Sequence, residues 1–324
     1  MIVLAFLCNR SIAQSQGSRI ITERKYPGCV ELSNDSVRVV LEPNLGGRVL
    51  AYELNGKNVL YVDDSQDGLI YENGKSIHPS AGRCDIGPEK TVPAHPLLYL
   101  GKWQARVTGN YEAEMISQKD SATGVQLIRK FKLARSGSQL EFTQIIKNIS
   151  SSSKIYCHWS RTFVKGGGIS LSPLNQKSRY PKKYIMYGPG NIMNFMPESE
   201  ESIRIRDGIL EVLAPPSQPK IVTDTDTGWL AFITLDNQLF FKKYPVYPSR
   251  IYGEMAASTA CVYYKPLYCE IEPIGPMETI APGKEVSFTE YWYLFDYQYP
   301  AEKKANLKEI LTKINQEKTL TSAQ

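Results

Sequence analysis

Apolar runs of strand length recur roughly every eight to twelve residues along most of this chain, separated by clusters of Gly, Pro, Asn, Asp and Ser. That rhythm leaves little room for helices and points to an antiparallel sandwich or barrel. Gln139-Leu-Glu-Phe-Thr143 alternates apolar and polar residues, as a half-buried strand does. Lys147 to Ser153 reads as a polar hairpin loop, after which Ile155 to Phe163 restarts the sheet. Gly228 to Thr234 and Gln238 to Lys242 flank Asp236-Asn237 as a further hairpin. One helical pattern stands out, and it is terminal. Beyond Pro300, residues Leu307, Ile310, Leu311 and Ile314 fall at i, i+3, i+4 and i+7, a single apolar stripe expected to pack across the sandwich edge.

With 324 residues and no low-complexity linker, one large domain is expected over residues 14–324. Residues 1–13 read as a secretory signal. Ile2 to Cys8 is apolar but too short to span a bilayer, and Ser11-Ile-Ala13 supplies small residues before a cleavage point, although no basic segment opens it. Export to the periplasm or medium of a bacterium follows, with no membrane attachment after cleavage. Loss of Arg10 takes the formal charge from +5 to +4, spread in pairs such as Lys182-Lys183 with no basic run of the kind that binds nucleic acid. Cleavage at that point also removes Cys8. The remaining Cys29, Cys84, Cys157, Cys261 and Cys269 form no C-x-x-C pair, and buried free thiols are expected. Scattered histidines and the lack of a G-x-S-x-G elbow or P-loop leave no metal or cofactor motif.

Tyr268-Cys-Glu-Ile-Glu-Pro273 opens the most telling segment. Period-2 alternation puts Tyr268, Glu270 and Glu272 on one face, followed by a proline-bounded crossing, a Pro282-Gly283 turn suited to type II, and a strand from Val286 to Phe295. Two carboxylates and an aromatic on one face fit the wall of a polar cleft, and fit a solvated sheet face as well. In Tyr156-Cys-His-Trp-Ser-Arg-Thr-Phe163, His158 shares a strand face with Tyr156, Ser160 and Thr162; it could be an acid or base, or a hydrogen-bonded core residue. In Ala81-Gly-Arg-Cys-Asp-Ile-Gly-Pro-Glu-Lys90, Arg83 and Asp85 point the same way, either into a site or toward one another. The aromatic Trp159 and Tyr252, set among polar neighbours, and the cations Arg161 and Lys242 are further binding candidates.

Val39-Val-Leu-Glu-Pro-Asn-Leu-Gly-Gly-Arg48, the strand and Asn-Gly hairpin that follow it, and the Glu270-Ile-Glu-Pro strand with its Pro-Gly turn together resemble the galactose mutarotase-like superfamily, over about residues 36–296. The likeness is to a divergent, poorly characterised bacterial branch related to aldose 1-epimerases. It implies an all-β antiparallel super-sandwich with a sugar-facing cleft. In that family a central-strand histidine, whose place resembles that of His158, gives a proton to the ring oxygen, and the region of Arg83 supplies a cleft cation. The family's Asn-His signature and second catalytic histidine have no clear counterpart here. Three activities therefore stand. The first is anomer interconversion, with Glu270 or Glu272 as base and His158 as acid. The second is capture of a mono- or oligosaccharide without turnover. The third is hydrolysis or elimination on a polysaccharide, for which two carboxylates about 6.5–7 Å apart on one strand are poorly placed to flank a bond.

Overall fold

The computed structural model describes residues 16–72, 77–188, 190 and 192–317; the signal reading over 1–13 lies outside them. Its architecture is all-β. Two antiparallel sheets, of thirteen and ten strands among the described residues, pack face to face. The main core lies between them, with Leu41, Tyr52, Phe142, Phe240 and Trp292 all sealed from solvent. Trp292 meets Phe142, Phe240 and Tyr52 with ring centroids 5.6, 5.5 and 6.1 Å apart. Each such pair contributes about 0.5–1.5 kcal/mol beyond area burial.

The larger sheet runs through Arg48–Leu54, Gly82–Gly87, Lys154–Lys165, Tyr268–Pro273, Ala260–Tyr264, Lys220–Thr223 and Ile185–Tyr187 in spatial order. Most of its neighbours in space are distant in sequence, so the six strands from Gly82–Gly87 onward bring together side chains from five separate stretches of chain. The loop at 149–153 is not a hairpin. Leu140–Asn148 belongs to the smaller sheet and Lys154–Lys165 to the larger, so the segment carries the chain across the sandwich. The Asn148 amide fixes that crossing by donating to the carbonyls of Ser152 and Ile280, each at 2.8 Å. The 228–242 hairpin forms as expected, with Trp229–Ile233 paired to Gln238–Lys243.

The terminal helix spans Leu307–Gln316, its first turn closed by Asn306 Oδ1 accepting from the Glu309 N–H. It lies on the outer face of the smaller sheet rather than at the edge: Leu307, Ile310 and Ile314 pack with Leu171, Trp229, Phe241 and Tyr293. Such a helix covers apolar sheet surface that would otherwise face water. No described helix is long and apolar enough to cross a membrane.

Arg48, from the Gly-Gly-Arg corner, is buried against Glu42 at 3.2 Å. Gly46 and Gly47 turn there with φ of 73° and 58°. A side chain on Gly46 would meet the Tyr99 carbonyl oxygen at 2.1 Å. The corner therefore builds the frame and lies apart from the cleft described next.

Candidate active-site cleft

Alternation along each strand, combined with register, generates the site. In Lys154–Lys165 the odd positions Trp159, Arg161 and Phe163 face away from the main core, and the even positions His158, Ser160 and Thr162 face into the sandwich. Phe163 pairs with Glu270, Glu270 with Tyr263, Tyr263 with Lys220, and Lys220 with Tyr187. Register partners in a sheet share a face. Phe163, Glu270, Tyr263, Lys220 and Tyr187 thus form one row across five strands, and all five line a cleft of about 660 Å³. Arg161, two residues before Phe163 on the same strand, and its register partner Arg83 on Gly82–Gly87 line it as well. A volume of this size falls within the usual range for small-molecule sites.

Glu270 is 2% exposed, and its Oε2 accepts from Arg161 Nε at 3.1 Å. Glu272, the other base candidate, is sealed behind the cleft wall. Trp159 Nε1 donates to its Oε2 at 2.6 Å, and its Oε1 has no hydrogen-bond partner. Burial first, and the Glu270 charge second, raise its pKa. The two carboxylates share a strand face as expected but differ in role: Glu270 meets the cleft, while Glu272 supports it.

Trp159 is fully buried and cannot stack on a sugar. Arg161 Cζ lies 4.4 Å and Lys220 Nζ 5.3 Å from its ring, so the indole acts as a platform beneath two cations. Arg83 is 6% exposed, rests 5.1 Å over the Phe163 ring, and has a buried Nε with no hydrogen-bond partner. Burial, reinforced by the neighbouring Arg161, lowers its pKa to about 10. Tyr268, half-buried, packs 4.7 Å from Phe163; burial and then Glu270 push its phenol up to about 12.

Asp85 does not pair with Arg83. It is engaged by His95, whose Nε2 lies 2.7 Å from Asp85 Oδ1 and whose Nδ1 lies 2.6 Å from the Pro93 carbonyl. Both ring nitrogens face acceptors, a pattern that only the doubly protonated ring satisfies. Burial opposes the charge on each partner, yet the pair overcomes it: His95 is raised and Asp85 lowered. Glu89 lines the cleft, and its backbone N–H donates to the buried Glu254 carboxyl at 2.7 Å. Burial pushes Glu254 up to about 6.

Three further expectations need correction. His158 lies between the sheets, stacked 5.7 Å from Phe288, on the opposite side of its strand from Glu270. Burial drives its pKa down to about 3, so it is a neutral core side chain and no proton donor to the cleft. Lys242 is completely buried between the sheets, its Nζ 3.1 Å from Glu290 Oε2 and donating to Ser160 and Thr162 at 2.8 and 2.7 Å. Tyr252 lies in a satellite core with Trp159, Ile185 and Val222, its hydroxyl accepting from the Tyr247 N–H at 3.0 Å. Sequence reasoning missed Phe163, Lys220, Tyr263, Tyr187 and His78 as lining residues. Only non-local register reveals the first four. Among the described residues no group of three His, Cys, Asp or Glu side chains is placed to hold a metal, and the described cysteines are buried and free.

No family profile matches the chain, and no curated protein matches it. Solved structures do. A galactose mutarotase-like protein from Lactobacillus casei ATCC 334 aligns over 83% of this chain and 100% of its own at 10% identity, with a TM-score of 0.56. One from Clostridium acetobutylicum aligns over 86% and 98% at 12% identity, TM-score 0.53. The Slr1438 protein from Synechocystis sp. PCC 6803 aligns over 91% and 100% at 14% identity, TM-score 0.56. The fold is that of the galactose mutarotase-like proteins, an antiparallel β-sandwich with a C-terminal helix. At these identities the likeness establishes architecture, and activity has to be argued from the cleft.

Proposed function

We propose that this is an exported protein whose cleft binds a sugar and interconverts its anomers, with Glu270 as the general base. One observation carries the reading. The Glu270 carboxylate is fixed by Arg161 between Phe163 and Tyr263, on the wall of a cleft with the volume of a small-molecule site. A base taking the C1 hydroxyl proton must meet its substrate in a defined pose, and a carboxylate anchored beside aromatic rings meets that need. Ring opening also requires a proton at the ring oxygen. With His158 in the core, that role passes to His78, the histidine lining the cleft. The galactose mutarotase-like fold supports this choice of chemistry.

Saturation-transfer NMR on a panel of free aldoses and uronates tests it. Anomer exchange should accelerate with the wild-type protein, and Glu270→Gln should slow it by about 100-fold or more, the usual scale of a lost general base. No acceleration on any sugar would sink the isomerase reading. Capture without turnover is the second reading, and the placement of His158 favours it. In that case calorimetry finds a sugar whose affinity survives Glu270→Gln but falls on truncation of Tyr263.

A further inference from the structure

We infer that the sugar taken by this cleft carries a single carboxylate, as a uronic acid does, and that this carboxylate sits against Arg83 beside Arg161. The inference rests on the sugar-binding reading and names its substrate class.

The warrant is a charge count along the cleft wall. Among the described residues four cations line it, Arg83, Arg161, Lys220 and Lys265, against two carboxylates, Glu89 and Glu270. Arg161 is committed to Glu270, and Lys220 faces Glu89 at 3.7 Å. Lys265 stands less buried over the Tyr263 ring at 5.3 Å, where water solvates it. Asp85, on the same face as Arg83, is already neutralised by His95. Glu272 is pushed by burial and by Glu270 toward its neutral acid. Arg83 remains: a buried guanidinium whose residue is the register partner of Arg161 on the adjacent strand, with no carboxylate among the described residues in ion-pair distance and one nitrogen without a partner.

Like charges facing one another across adjacent strands are unfavourable, and a buried charge without a counter-ion is more so. A guest anion relieves both. One uncompensated buried charge matches a monoanion. A phosphate ester, near −1.5 to −2 at pH 7, would exceed it and would face Glu270 and Glu89 as well. A planar carboxylate also suits the planar guanidinium, which recognises it with two parallel hydrogen bonds.

Isothermal titration of the full chain decides the matter. The probes are galacturonate and glucuronate, the methyl ester of each, galactose, glucose and glucose 6-phosphate. Wild-type protein should bind one uronate about tenfold or more tighter than its methyl ester and the parent aldose, the scale of one charge-assisted hydrogen bond. That ratio should shrink as salt is raised, and Arg83→Gln, shown folded by its melting curve, should reduce it to about twofold. The ester comparison needs no variant, so a misfolded Arg83→Gln leaves the test intact. Equal affinity for uronate, ester and aldose, or tighter binding of the phosphate, overturns the carboxylate assignment while leaving the sugar cleft standing. Binding of no sugar at all overturns both.

Discussion

His95 places both ring nitrogens against acceptors, so its charge and that of Asp85 stand or fall together. The raised His95 contributes stability that is complete below about pH 6.5 and lost as pH rises through its folded value. The lowered Asp85 contributes stability present above about pH 3.9 and lost as pH falls through its own. The pair is at full strength between those limits. NMR titration should place His95 above 6.5 in the wild type and lower in Asp85→Asn, where burial is opposed only by the Pro93 carbonyl and the Asp120 charge; equal values in the two proteins would contradict the pairing. Lys242 makes a second case. Its ammonium and the Glu290 carboxylate are both fully buried, and Trp292 Nε1 completes the network at 2.9 Å from Glu290. Lys242→Met should cost about 3–5 kcal/mol in urea unfolding, since it leaves Glu290 uncompensated. A loss below 1 kcal/mol would show that the pair carries little. Neither role was legible in the sequence. A lysine in Phe-Phe-Lys-Lys looks like a solvated strand end, and only its pairing with the distant strand Glu285–Asp296, under the Ser160 and Thr162 hydroxyls of the opposing sheet, reveals its partners.

At the scale of elements, turn chemistry was the most readable feature. Pro282-Gly283 forms the expected tight turn, with Gly283 at φ 71° and open space around its missing side chain. Gly46 has a similar φ, yet the Tyr99 carbonyl closes over it at 2.1 Å. Gly283→Ala should therefore cost about 1–2 kcal/mol, the strain of a left-handed residue alone. Gly46→Ala adds a backbone clash to that strain and should cost well beyond it, enough to compromise folding; chemical denaturation of the two variants would give equal losses only if the corner is looser than it stands. Alternation within strands was equally readable, and it placed Tyr268, Glu270 and Glu272 on one face. The same rule put His158 on a face of its own strand but could not say which face meets the cleft. That required register against Tyr268–Pro273, a partner more than a hundred residues away. The loop at 149–153 shows the same boundary: its polar residues announce a turn, while the sheet joined by the next strand depends on the distant Ile280 carbonyl that Asn148 reaches.

For the whole molecule, the strand rhythm and the single terminal amphipathic stripe foretold an all-β sandwich with one long helix. The cleft was only partly foretold, because its central row takes one residue from each of five strands and no local spacing encodes such a row. Glu270, Arg83 and Arg161 were legible through charge on alternating positions. Phe163, Tyr263, Lys220 and Tyr187 look like ordinary strand residues until paired. The central claim is that this row receives a sugar, and a crystal structure of the protein soaked with galacturonate or glucuronate tests it most directly. The ring should lie over Tyr263 with its anomeric oxygen facing Glu270 and its carboxylate about 3 Å from the guanidinium of Arg83 or Arg161. A saturated crystal with the row empty, or with the sugar bound elsewhere, would contradict it.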